Sequence, residues 1–333
     1  MNRNYSVDTL RSIATIMVIF VHISATYINR SAGNLSNIEF WLPNLIDSFS
    51  RVCVPIFVMI SGRFLLGRNL SLRVFYKSRI SKILWPLIFW SVFYSVYVLI
   101  VRYISTGNWT VSQVLFDIFF GRPYFHLWYL YMLVGLYLLT PLLDKLLERV
   151  SRGLILGYVF LVIGFTLDIL YQRFSYPKFM VLWCFQYLGY YVLGFELSKR
   201  AAGNFWSSNW YLVIYFISSI IVAVLTPIFL NQYNSLYFYG YLTPFVAISS
   251  ISLYLFFTLN KMDQNYLSDL AILTFGIYLV HAFVLTVLNK IFQVLHFNTS
   301  IIIEMPLKFI IVFITSFQLC KMAFKAKSLK KFI

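Results

Sequence analysis

Long apolar runs separated by short polar connections make up almost the whole chain. The runs cover roughly residues 9–28, 45–66, 83–104, 126–143, 153–171, 179–197, 210–230, 239–259, 270–289 and 301–322. At a rise of about 1.5 Å per residue, each predicts a helix able to cross about 30 Å of hydrocarbon. The expected fold class is therefore all-α, a polytopic bundle of about ten transmembrane helices. One more apolar stretch, Val111–Phe120, is too short to span and predicts an interfacial or re-entrant piece. Pro86, Pro141, Pro227 and Pro244 fall at or inside predicted spans, where neighbouring helices can satisfy the backbone groups they free. There is no internal repeat and no Pro/Gly/Ser-rich linker, so residues 1–333 read as a single membrane-embedded domain. The tail after residue 322 reads as a short basic stretch with no soluble domain.

Composition agrees with this pattern. Hydrophobic residues make up 60% of the chain, aromatic residues 20% and charged residues 11%, against about 25% charged in soluble proteins. The net charge of +16 is distributed by side. With the N-terminus inside, Arg3, Arg68, Arg73, Lys77, Arg79, Lys82, Lys145, Arg149, Arg152, Lys199, Arg200, Lys261, Lys321, Lys325, Lys327, Lys330 and Lys331 are cytoplasmic. Only Arg30, Arg102, Arg122, Arg173, Lys178 and Lys290 are external, and Arg11, Arg51, Arg63 and Lys308 lie in the spans. That bias predicts both termini in the cytoplasm. The same alternation argues against a nucleic-acid partner, since no basic run carries interleaved exposed aromatics. Cys53, Cys184 and Cys320 are isolated in apolar segments, so neither a disulfide framework nor a metal site is expected. Gly62–Gly67 followed by Arg68 lacks the Lys and hydroxyl residue of a phosphate-binding loop, which argues against nucleotide-driven pumping.

The first run holds the sharpest chemical signal. Arg11 and His22 are 11 positions apart, and 11 steps of about 100° bring both to one helix face, roughly 16 Å apart along the axis. Ionisable groups in a membrane are costly and mark functional sites by default. The plainer reading is a snorkelling Arg11 and a His22 that hydrogen-bonds a neighbouring helix. Arg51, one turn after Asp47, reads as a local ion pair. His281, in mid-span, reads equally well as a packing residue between helices.

Ser6-Val-Asp-Thr-Leu-Arg11, ten residues and then His22 resemble the Arg-x(10)-His signature of the type-3 membrane acyltransferases. Val54–Gly62, His126–Pro141, Tyr187–Gly194 and Gly276–His281 resemble further stretches of that family, in its order. The resemblance implies a ten-helix enzyme of the bacterial cytoplasmic membrane. It would move an acyl group, most simply acetyl from cytoplasmic acetyl-CoA, to a hydroxyl of a surface polysaccharide or lipid-linked sugar. His22 would act as general base or acyl carrier, with Arg11 on the same face and His126 at the outer cavity beside Trp128 and Tyr129. A basic loop over 68–82 is expected to hold the coenzyme's phosphates through Arg73, Lys77, Arg79 and Lys82. The Arg-x-x-Arg pair of the family becomes Arg79-Ile-Ser-Lys82 here, and Lys82 lacks the bidentate fork of arginine. The same cations would also serve topology alone, through lipid headgroups. The rival class is a polysaccharide or small-molecule exporter. Inverted repeats and interrupted helices would favour that class.

Overall fold

The computed structural model describes residues 3–31, 34–35, 37–68, 70–174, 179–200, 208–297, 299–326 and 332. Lys178, Lys327, Lys330 and Lys331, counted in the charge bias, lie outside the described residues. No strand occurs among those described. The α-helices are α1 (Tyr5–Ser31), α2 (Ile38–Ser50), α3 (Cys53–Leu65), α4 (Leu72–Phe75), α5 (Ser81–Thr106), α6 (Val111–Phe119) and α7 (Trp128–Arg149). They continue with α8 (Gly153–Phe174), α9 (Cys184–Arg200), α10 (Ser208–Tyr233), α11 (Pro244–Leu259), α12 (Tyr266–Leu270), α13 (Thr274–Val294) and α14 (Ile301–Lys325).

Nine helical stretches among the described residues are long and apolar enough to cross a membrane, so the protein is a multi-pass helical bundle. The remaining expected span, over 179–197, is α9, a helix of 17 residues preceded by the 3-10 turn Met180–Trp183. Most of α9 is buried in protein, so it meets little lipid. The expected short piece at Val111–Phe120 is α6, tied at one end by Asp117 to Arg122 at 3.3 Å and Arg102 at 3.9 Å.

Three local expectations need correction. The segment expected as a basic loop over 68–82 is helical from Leu72 onward. It runs as α4, a π-helical turn Tyr76–Ile80 and α5 without a break, because it contains neither Gly nor Pro before Pro86. Hydropathy marks only where a helix meets hydrocarbon, and this one continues beyond it. The second span starts earlier than expected and is interrupted. It covers Ile38–Leu65, but α2 ends at Ser50 and α3 begins at Cys53. Pro55 has no N–H for the Arg51 carbonyl, and its ring crowds that carbonyl, so the ladder breaks there. His126 precedes α7 rather than starting it.

The chain forms two compact units. Unit 1 contains residues 1–60 and 197–325, and unit 2 contains 61–196 and 326–333. In unit 1, α1 packs against α2, α11, α12, α13 and α14, and α10 packs against α11 and α2. Small residues allow the α10–α11 approach, where Ser219 and Ser249 share a hydroxyl hydrogen bond of 2.9 Å. The N-terminal end of α1 is pinned by polar bonds. Ser6 Oγ donates to the Asn260 carbonyl at 2.7 Å, and Ser12 Oγ donates to that of Leu267 at 2.6 Å. Arg3 pairs with both Asp8 (2.8 Å) and Asp269 (3.1 Å).

Unit 2 is assembled around α9 by glycines. Gly164 of α8 lies against the backbone of Gln186, Gly157 against Leu193, and Gly189 of α9 against Leu161. Gly135 of α7 meets Val181 and Cys184. Lipid tails are as apolar as leucine, so close backbone approach, not exclusion of apolar surface from water, holds such helices together. The other faces of α8 carry exposed Ile155, Val159, Val162 and Ile163, as lipid contact requires.

Candidate functional site

Unit 1 places His22 and His281 ring to ring. His22 projects from α1 and His281 from α13, with ring centroids 5.3 Å apart and planes inclined by 27°. His22 is partly accessible, whereas His281 is fully buried. The Nδ1–H of His281 donates to the Tyr278 carbonyl at 2.7 Å, one turn earlier on its own helix. That bond fixes the ring's orientation and leaves the lone pair on Nε2. Among the described contacts His281 thus meets α1 through a ring stack and donates within its own helix.

Arg51 caps the end of α2, which packs against α1, the helix of His22. It sits at the interruption between α2 and α3. Its Nε and Nη2 both donate to Asp47 Oδ2, at 2.8 and 2.5 Å. The expected ion pair is present, but it is no surface pair. The Asp47 side chain has 0% exposure and that of Arg51 15%. The guanidinium also lies over Tyr239 (4.6 Å) and Tyr241 (5.7 Å). Asp47 Oδ1 is buried and accepts no hydrogen bond among the described residues. The Tyr239 hydroxyl donates to Asn44 Oδ1 at 2.5 Å, which continues the polar network along α2.

Arg11 lies on the unbroken α1, so the helix keeps it on the face of His22, nearer the N-terminal end. Its guanidinium is partly exposed and lies 3.7 Å from Asp8. Helix α14 carries a further ion pair, buried Lys308 with half-buried Glu304 at 2.8 Å, with Lys308 over the rings of Tyr27 and Phe292.

In unit 2, His126 is buried in an aromatic box. Tyr94 meets it edge-on at 5.0 Å and Tyr124 at 5.8 Å, with Phe125 at 5.5 Å. The four expected coenzyme residues surround the π-turn. Arg73, Lys77 and Lys82 are exposed, whereas Arg79 turns inward, its Nε buried and without an acceptor among the described residues. A π-turn adds a residue to a helical turn and so re-aims the side chains that follow. Such turns are frequent at functional sites.

Sequence reasoning singled out His22 and Arg11. It read His281 as a packing residue and Asp47–Arg51 as a local ion pair, and only the fold places His281 against His22 and Arg51 over Tyr239. A signal existed for each, since all three are polar residues inside apolar runs.

A family model described as an acyltransferase domain matches residues 4–321. A curated protein of Enterococcus faecalis named amino-acid racemase is 25% identical over an alignment covering 98% of this chain and 47% of that protein. The chain therefore spans about half the length of that relative. No solved structure matches.

Proposed function

We propose, for a chain that belongs to the acyltransferase-3 family, that it transfers an acyl group, most simply acetyl from acetyl-CoA, to a hydroxyl of a cell-surface polysaccharide or lipid-linked sugar. The observation that carries this reading is the partly accessible His22, stacked on a His281 whose tautomer is fixed, on the same helix face as Arg11. In acyl transfer a hydroxyl oxygen attacks the thioester carbonyl while its proton passes to a base. The tetrahedral adduct then expels the thiolate, which takes up a proton. A neutral imidazole suits that base near pH 7, and His22 holds the role. His281 holds the His22 ring by stacking, and Arg51 supplies fixed positive charge where the oxyanion forms.

The donor's phosphates are anionic and need cations at the cytoplasmic side. Arg79 fits best, because its buried Nε–H, which meets no acceptor among the described residues, is a ready donor to phosphate. Arg73, Lys77 and Lys82 add an exposed attracting field. Arg11, near the N-terminal end of α1, steers the thioester arm. His126, in its aromatic box, contributes to the outer acceptor region. The charge bias supports both termini inside, and the similarity to a protein of Enterococcus faecalis supports a bacterial cytoplasmic membrane as its place of action.

The test is acyl transfer by the purified chain in lipid nanodiscs, given radiolabelled acetyl-CoA and extracted envelope glycans. Label should reach glycan with the wild-type chain and fail to do so with His22→Ala, which should insert normally. A fully active His22→Ala variant sinks the mechanism. The interruption at Arg51–Val52 favours a second reading, because broken helices build the binding sites of transporters. Glycan flux across proteoliposomes, with no binding of acetyl-CoA, would establish that reading instead.

A further inference from the structure

A cleft of about 1200 Å³ opens in unit 1 at the end of α1 remote from Arg3 and Asp269. It lies between Asn34 and Leu35, the start of α2 and the last turns of α10. Four carboxamides line it: Asn34, Asn231, Gln232 and Asn234. Trp41 of α2 completes the polar part, and none of the residues described as lining the cleft is charged. A carboxamide offers a donor and an acceptor side by side, which matches neighbouring hydroxyls. A half-buried indole offers a flat apolar face for the C–H face of a sugar ring. Phosphate or carboxylate ligands would call for cations, and the described lining residues include none.

The wall formed by α10 changes character along one stripe. Val224, Pro227, Ile228 and Asn231 follow the i, i+3, i+4, i+7 spacing of a single helix face. Val224 and Ile228 are exposed (47% and 51%) on a bilayer-crossing helix. The wall is therefore apolar where the helix meets hydrocarbon and carries amides about 10 Å further on, towards its end. A ligand filling both zones has an uncharged sugar head and a hydrocarbon tail. Along α2, Asn44, Asp47 and Arg51 follow Trp41 at one-turn intervals, so the cleft lies about 15 Å from the Arg51 end of the His22 site.

We infer that this cleft binds the acceptor as a lipid-linked, uncharged glycan, with sugars among the carboxamides and the lipid chain along Val224 and Ile228. The inference rests on the acyltransferase reading for the word acceptor, and on the cleft alone for the class of ligand.

The probe is a synthetic disaccharide carrying a long alkyl chain and a photoreactive diazirine, incorporated into nanodiscs with the full chain. Labelling should map to α2 and the end of α10, and the unlabelled glycolipid should compete it away. Trp41→Ala and Asn231→Ala should each lower labelling about tenfold, as loss of a central contact does, while thermal transitions stay near wild type. Ile228→Arg should weaken the glycolipid and spare competition by the free disaccharide. Undiminished labelling in folded Trp41→Ala and Asn231→Ala variants overturns the inference. So does equal competition by the free disaccharide, or by an anionic phospholipid of the same chain length. Acetyl-CoA cleavage is followed in the same samples. Cleavage without site labelling rejects the cleft and keeps the enzyme, whereas site labelling without cleavage keeps the cleft and rejects the acyltransferase reading.

Discussion

Asn44 Nδ2 donates a hydrogen bond of 2.8 Å to the carbonyl of Ala223, the residue four positions before Pro227. Pro227 has no N–H, so that carbonyl has lost its own helical donor. In a bilayer no water replaces it, and a side chain from α2 does so instead. Asn44→Ala should destabilise the protein by about 1–3 kcal/mol, the cost of an unsatisfied buried acceptor. In a Pro227→Ala background the residue at 227 again offers an N–H, and the cost of Asn44→Ala should fall by about 1 kcal/mol. Equal costs in both backgrounds, by unfolding in bicelles, would show that Asn44 serves another purpose.

The Asp47–Arg51 pair should behave as a buried ion pair. Arg51→Met strands a carboxylate with no exposure and should cost about 3–5 kcal/mol. Asp47→Asn combined with Arg51→Gln should recover most of that loss in the same unfolding assay. If Arg51→Met leaves the transition unmoved, the pair is not closed to water.

His281 acts on the proposed reaction only through His22. His281→Phe keeps a flat ring and removes the fixed imidazole, so kcat should fall about tenfold with KM for acetyl-CoA unchanged. His22→Ala should lose about 10²–10⁴-fold, the usual worth of a general base. Steady-state kinetics in nanodiscs separates the two. A His281→Phe variant affected only in KM would place His281 in donor binding.

Arg79 should stand apart from its basic neighbours. Arg79→Ala removes the inward-facing guanidinium, and a charge-assisted bond of about 1.5–3 kcal/mol corresponds to a rise of about 10–150-fold in KM for acetyl-CoA. Arg73→Ala, Lys77→Ala and Lys82→Ala remove exposed, solvent-screened charges and should each change KM by less than about fivefold. Arg79→Lys should recover part of the loss, since it keeps the charge without the fork. Four equal effects would mean that the segment works as a diffuse field.

Gly164→Leu puts a side chain against the Gln186 backbone, which cannot yield as a flexible side chain would. Destabilisation by about 1–3 kcal/mol or more is expected. Val162→Leu, two residues away on an exposed face, should be neutral in the same measurement.

The sequence by itself determined the class of fold. A run of twenty uncharged apolar residues has no stable alternative to a membrane helix, and α1, α5, α8, α10 and α13 lie where the runs predict them. It also determined that Arg11 and His22 share a face, because helix periodicity is local and fixed. It could not show that α4 and the π-turn extend the third helix, since water and lipid accept a helix equally well and only hydropathy marks the border. Nor could it weigh His281, Arg51 or Asp47. Each looked like an ordinary packing or ion-pair residue, and what sets them apart is contact between distant positions, His281 with His22 of α1 and the Asp47–Arg51 pair with Tyr239. Tertiary structure alone decided that, because contacts between distant helices depend on how their faces are paired, and periodicity gives each face without its partner. The same holds for the carboxamide cleft, whose described walls come from α2, α10 and Asn34–Leu35.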